Sequence, residues 1–380
     1  MIVYVGLTVI VMLVALLMKK YPARAGFDNR NVYVYTGITK RSMLNKICML
    51  IIFIALFAVS ALRLNVGNDY SKYVEFMHLT WSNAYVPTEI GFNLLTKAVY
   101  TVFGFENYIF VFAVFAFATV AFFLAALWEQ SDDFYVSFAM FMLLGYYFQS
   151  LSTVRYYLAL AMAIFSLKYL FKRDFPKFIV LVLFGACFHK SLLLILIMYP
   201  VCLMKWKKWM YGAIGLICLS CVFLQDLYLK IALKLYPTYE DTSYVSDDNI
   251  SIISIARCVL VVVYALYIFK KSGNVEEKDR FYFHCNLGAL LLYTFGSFMP
   301  TVSRIGYYLT VTQILLVPSL IKKTENEKLY KLLRIALFVG CIGYFCIYMK
   351  RASGNGVRLL PYETFLFHEL PPTLSERGFG

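Results

Sequence analysis

Four arginines and one histidine stand apart from the basic loops of this chain: Arg63, Arg155, Arg257, Arg304 and His189. Each lies in or against an apolar stretch, where a charge is expensive and has a partner. A guanidinium grips phosphate through a planar fork of N–H donors, so a group of them points to an anionic ligand, best matched by a diphosphate. An imidazole, with an ordinary pKa of about 6.5, is the side chain suited to exchange a proton near neutral pH, so His189 is a candidate base. Asp69 is the rival base, provided burial lifts its pKa. Glu89 adds a second carboxylate to the same stretch. Taken singly, each has a plainer reading. Arg63 or Arg304 would be a snorkelling side chain at a helix end. Arg155, beside Tyr156-Tyr157, would be a cation–π anchor. His189 would be a hydrogen-bonded structural histidine, as His78, His284 and His368 are read. Asp69, in the turn sequence Asn65–Tyr70, would hold an Asx turn, and Glu89 would be the N-terminal charge of a helix.

What would gather these groups is the membrane. The chain has 380 residues, of which 61% are apolar and only 15% charged, and the mean hydropathy is +0.69. A soluble domain is roughly 45–50% apolar and about 25% charged. This composition excludes a soluble globule, a disordered chain and a small secreted scaffold. It predicts one integral membrane domain over 1–380. The net charge of +14 sits in short clusters between apolar runs, which reads as topology and not as a nucleic-acid footprint. The nine cysteines lie mostly in apolar runs and read as small hydrophobes, Cys218 and Cys221 included.

Apolar runs fall at 2–18, 47–62, 107–128, 134–151, 156–171, 178–188, 191–204, 210–228, 251–269, 281–299, 305–321 and 330–349. A spanning helix needs about 20 residues, so the expected fold is all-α and polytopic, with about 11–12 transmembrane helices. Most lysines and arginines occupy five stretches, at 19–46, 172–177, 205–208, 270–280 and 322–334. The positive-inside rule makes these cytoplasmic and both termini external. The loop 129–133 and the external Lys350, Arg351 and Arg358 are exceptions. The runs 178–188 and 191–204 are flanked by cytoplasmic clusters, and residues 178–204 would make only about 40 Å of helix. They are expected to form a re-entrant-like hairpin with Phe188-His189-Lys190-Ser191 at its tip. On this map Arg63, Arg155, His189 and Arg304 share the outer side. Residues 91–104 are expected as an interfacial helix. The outer loops are 63–106 and 229–250, and residues 350–380 form a polar outer tail. Loop 229–250 holds Tyr236, Tyr239, Glu240, Asp241, Tyr244, Asp247 and Asp248, which suit sugar rings or an ordinary solvated loop.

No nucleotide-loop, zinc-protease or serine-hydrolase motif appears, and no internal repeat of the kind common in transporters. No metal site and no cofactor is expected; the Asp132-Asp133 pair lies on the cytoplasmic side of this map.

These residues carry a resemblance. The segments Arg63-Leu-Asn-Val-Gly67-Asn-Asp69-Tyr70-Ser-Lys-Tyr73, Glu89-Ile-Gly91-Phe92 and Arg155-Tyr-Tyr-Leu-Ala-Leu-Ala come first. Phe188-His189-Lys-Ser191, Ser303-Arg304-Ile-Gly-Tyr307-Tyr308 and Leu360-Pro361-Tyr362 follow in order. Together they resemble the EpsG family of Wzy-like polysaccharide polymerases. Asn68 departs from the pattern, where a small residue such as Thr is expected. The resemblance implies a bacterial inner-membrane glycosyltransferase with a GT-C-like helical architecture, making O-antigen or exopolysaccharide. Its partners would be undecaprenyl-diphosphate-linked glycan donor and acceptor, membrane lipids and a chain-length co-polymerase, with no nucleic acid. The growing chain would pass from its lipid diphosphate to an incoming unit at the outer face. The implied roles are catalytic for His189, Asp69 and Arg155, and diphosphate-binding for Arg63, Arg155 and Arg304. Gly67, Tyr70, Glu89, Tyr156, Tyr308 and Tyr362 would be substrate-binding. A flippase of lipid-linked sugars, a ligase and a single-sugar transferase are the competing readings.

Overall fold

Apolar runs without a breaker become long helices, and in this computed structural model about half of the runs do so among the described residues. The structure describes residues 1–19, 40–224, 227–228, 252–273, 275–296, 300–352, 354 and 357–368. The helices are α1 (Ile2–Leu16), α2 (Lys40–Ala61), α3 (Tyr70–Trp81), α4 (Ile90–Phe103), α5 (Tyr108–Gln130), α6 (Phe134–Leu143), α7 (Tyr146–Ser150) and α8 (Val154–Phe171). They continue with α9 (Phe175–Ala186), a 3-10 turn (Lys190–Leu194), α10 (Ile195–Leu203), α11 (Lys208–Phe223), α12 (Ile252–Ser272) and α13 (Glu277–Gly296). The last are α14 (Pro300–Thr310), α15 (Gln313–Lys322) and α16 (Glu327–Arg351). Two strands of two residues, β1 (Arg63–Leu64) and β2 (Glu363–Thr364), pair antiparallel with Arg63 opposite Thr364. The protein is all-α and polytopic.

Among the described residues, six apolar stretches are long enough to cross a membrane: 40–61, 108–130, 154–171, 252–271, 304–322 and 327–351. That is fewer than the 11–12 expected, because several apolar runs are short or broken helices. The run 134–151 divides at Gly145, whose φ of +81° ends α6 and starts α7. The run 2–18 yields a helix of 15 residues. The short runs 178–188 and 191–204 fold as α9 and as the 3-10 turn with α10, and the 3-10 turn packs back on α9. Neither arm reaches the length of a full span. The helix expected over 91–104 is α4, ended by left-handed Gly104. Helix starts follow local chemistry. Asn107, Asp133 and Asp174 each accept from a backbone N–H three residues on. Asp133 of the Asp-Asp pair is therefore a helix cap.

The chain forms two compact units, Met1–Ala161 with Arg334–Gly380, and Met162–Leu333. In the first, α2 packs on α1 and α5, and α3 packs on α4. The returning tail closes this unit. Tyr362 donates to the Val59 carbonyl (3.0 Å), Tyr4 to the Leu359 carbonyl (3.0 Å), and the Gly67 N–H to the Arg358 carbonyl (2.8 Å). In the second unit α13 is central and touches α10, α11, α12, α14 and α15. Several of its buried polar groups are paired, as burial favours. Asn286 donates to the Cys258 carbonyl and accepts from Gln313, and Asp279 accepts from Ser319 and Lys323. The loop carrying Tyr236, Tyr239, Glu240, Asp241, Tyr244, Asp247 and Asp248 lies outside the described residues, as does the end of the tail.

Candidate active site

In the first unit the candidate residues gather where α3, α4 and the start of α8 meet. Arg155 lies in the first turn of α8. Its guanidinium carbon sits 5.4 Å from the ring centres of both Tyr73 on α3 and Phe92 on α4. Its Nη1 donates to Glu89 Oε2, the carboxylate at the N-cap of α4. The two side chains are 14% and 17% exposed, so the pair is shielded but reachable. Two aromatic faces and one carboxylate fix the guanidinium plane. Burial pushes the Tyr73 phenol up, although Arg155 pulls it down, so it remains a protonated donor beside the pair. Asp69, half-buried at the N-cap of α3, stands one turn before Tyr73 and raises the phenol further. Sequence had offered Arg155 and Glu89 as separate site residues; the structure makes them partners.

Arg63 sits differently. It is 2% exposed and lies 4.9 Å above the Phe112 ring, with Tyr70 at 6.0 Å. Its Nη1 donates to the Ser60 carbonyl and lies 3.3 Å from the Ser60 hydroxyl. Burial pushes its pKa down, and the surrounding phenols of Tyr70, Tyr147, Tyr4 and Tyr362 pull it back. Among the described residues no carboxylate pairs with it, and Nε and Nη2 have no hydrogen-bond partner. It is neither snorkelling nor open to a bulky ligand; it is a buried cation enclosed by rings and the tail. Tyr70 is stacked on Phe112 (4.6 Å) and 2% exposed. Tyr362 is edge-on to Tyr4, and its burial pushes the phenol up to about 12. Tyr156 is 5% exposed and edge-on to Tyr157.

Gly67 is a packing position. Its φ is +107°, and a Cβ there would lie 2.5 Å from the Leu151 carbonyl oxygen and 2.8 Å from the Ser152 Cα. The turn after β1 thus lies directly on the α7–α8 connection, and Asn68 N–H donates to Ser152 Oγ (3.0 Å). Gly67→Ala is expected to cost about 1–3 kcal/mol from strain, read as a lower melting temperature in detergent.

The second unit carries its own constellation. His189 is the N-cap of the 3-10 turn, with extended backbone (φ −154°, ψ 107°). Its Nδ1 lies 2.7 Å from Ser191 Oγ, and that oxygen lies 3.0 Å from the Tyr308 hydroxyl. Tyr308 is fully buried, and its carbonyl accepts from Tyr199 (3.0 Å). Arg304, exposed, is one helical turn before Tyr308 on α14. Arg257 is half-buried on α12. Ser191 was visible in the sequence only as part of the Phe-His-Lys-Ser segment; its place between His189 and Tyr308 follows from α14 lying against the turn. His78 and His284 have other partners: His78 pairs with Glu106 (2.8 Å), and His284 lies between the Cys202 carbonyl and Tyr211. Among the described residues no cluster of metal-ligating side chains occurs.

No curated protein and no solved structure matches the chain. The family model described as the EpsG family matches residues 46–364, a stretch that includes every segment carrying the resemblance, from Arg63 to Tyr362. Such a protein is a multi-pass, polymerase-type membrane protein whose substrate is a lipid-linked glycan. The chain belongs to the EpsG family, the family of Wzy-like polysaccharide polymerases.

Proposed function

We propose that this protein polymerises undecaprenyl-diphosphate-linked repeat units at the outer face of the bacterial cytoplasmic membrane, without a metal. The acceptor hydroxyl attacks the anomeric carbon of the donor. The bond from that carbon to the diphosphate oxygen breaks, and the diphosphate leaves with the electron pair. Its growing charge needs a fixed cation, a role we give to Arg155 as a phosphate ligand. The observation that carries this reading is Arg155: a shielded, reachable guanidinium, held planar between two rings and already gripping an anion, the Glu89 carboxylate. We give Glu89 the task of orienting Arg155, and Arg63 that of holding the tail and adding positive potential from within.

His189 takes the acceptor proton. For Nε2 to be the accepting atom, Nδ1 must carry the hydrogen and donate it to Ser191 Oγ; Ser191 in turn donates to the Tyr308 oxygen. Ser191 and Tyr308 are thus positioning residues. Ser191→Ala is expected to lower kcat about tenfold with KM little changed, and Ser191→Thr to restore most of it. An equal loss of folded protein in both variants would mean a structural role instead. Asp69 is the alternative base, favoured by its place one turn before Tyr73. A chain-length co-polymerase is a candidate partner.

The test is incubation of purified protein with one lipid-linked repeat unit. A ladder of products is expected. A single addition would indicate a one-step transferase or ligase, and no covalent product would indicate a flippase.

A further inference from the structure

A second ligand site lies in the Met162–Leu333 unit, in a groove between α11, α12 and α13. The cavity holds about 430 Å³ and is open along one side. Its walls are apolar, with Ile214, Val262, Leu266 and Leu290 among them, and one charged side chain, Arg280, lies at one end. A Cβ at Gly215 would meet nothing within 4 Å, so the glycine keeps the groove open.

The Arg280 end is rigid and basic. Tyr211 donates to His284 Nε2 (2.8 Å), His284 Nδ1 donates to the Cys202 carbonyl (2.7 Å), and Trp206 stacks on the imidazole at 4.0 Å. The start of α11, the end of α12 and the start of α13 meet here, bringing Lys207, Lys208, Lys270 and Arg280 to one end. The carboxylates nearby are already taken. Lys323 holds Glu276 and Asp279, Arg173 holds Glu277, and Glu325 lies 3.9 Å from Lys271. Among the described residues, no carboxylate pairs with Arg280, Lys207, Lys208 or Lys270.

We propose that this groove binds an anionic phospholipid, one acyl chain lying along α11 and α13 and the headgroup phosphate meeting Arg280 and the adjacent lysines. An apolar trough ended by uncompensated cations complements that amphiphile, and basic pockets between membrane helices take anionic headgroups in this way. A zwitterionic lipid fits the trough equally but gains less from the cations, because its own ammonium offsets the phosphate charge. The inference stands apart from the polymerase reading: it uses none of the residues assigned to catalysis, and lipid binding is measured without turnover.

The experiment is native mass spectrometry of the full chain in neutral detergent, titrated with phosphatidylglycerol or phosphatidylcholine. Phosphatidylglycerol is expected to be retained preferentially. Arg280→Gln and Lys208→Gln are each expected to weaken that retention about fivefold and to affect phosphatidylcholine less. Gly215→Leu, which fills the trough where space is open, is expected to lower retention of both lipids. Size-exclusion profiles confirm that each variant is folded, and either cation variant suffices if the other is not. Equal retention of the two lipids, or an anionic preference that survives both cation substitutions, overturns the proposal. So does retention of undecaprenyl diphosphate in place of phosphatidylglycerol.

Discussion

Cells carrying Arg155→Gln together with Glu89→Gln contain membrane-inserted protein and make no polymer, a fall in rate of about 10²–10³. The double substitution is needed because the pair is shielded. Arg155→Ala alone strands the Glu89 carboxylate, and removing one partner of a fully buried pair costs about 3–5 kcal/mol. Exposures of 14% and 17% put this pair below that range, but still within reach of a folding defect. Two neutral amides keep the shape and remove both charges. Glu89→Gln alone keeps the cation and a hydrogen-bond acceptor, so polymer is retained. The measurement pairs a carbohydrate gel with an immunoblot of the membrane fraction. Loss of polymer in Glu89→Gln at normal protein level would move Glu89 from an orienting role to direct contact with sugar.

His189→Ala binds lipid-linked donor normally and turns it over about 10²–10⁴ times more slowly, the usual worth of general-base help. Single-turnover measurement separates this step from binding. His189 caps the 3-10 turn through its backbone, and its own carbonyl accepts from Leu192 N–H (3.1 Å), so removing the imidazole leaves the turn intact. Unchanged turnover would pass the base role to Asp69. The smaller effect of Ser191→Ala then has a meaning, because Ser191 acts only through the ring it orients.

The long helices were legible because nothing interrupts their apolar runs. The run 107–128 is α5 (Tyr108–Gln130), 330–349 lies within α16 (Glu327–Arg351), and 91–104 is α4 (Ile90–Phe103). The break inside 134–151 was not read, because hydropathy continues across Leu144-Gly145-Tyr146. The glycine itself was the signal, and its left-handed backbone is what divides the run. The site was legible as a set of residue types and not as a set of contacts. Glu89 and Arg155 are 66 residues apart, and only the packing of α3 and α4 against α8 makes them a pair. Whether Arg63 faced solvent or rings depended on the tail returning from Leu359 to Thr364, a contact some 300 residues away in sequence. Ser191 and Tyr308 are separated by 117 residues. Spacing reports faces of one helix; it carries no information on which distant helix lies opposite.

Gly67 shows the converse case. A glycine in a motif invites a ligand, since backbone approach is close there. In this chain the close approach is filled by Leu151 and Ser152. Tyr362 likewise serves the fold, through its bond to Val59.

The central claim is that the Arg155 guanidinium meets a lipid diphosphate. Equilibrium binding of undecaprenyl diphosphate to purified protein tests it directly, comparing the native chain with the Arg155→Gln/Glu89→Gln double variant. The account predicts affinity lower by about tenfold or more in the variant, the loss of one charge-assisted phosphate contact. Equal affinity in the two proteins would contradict it.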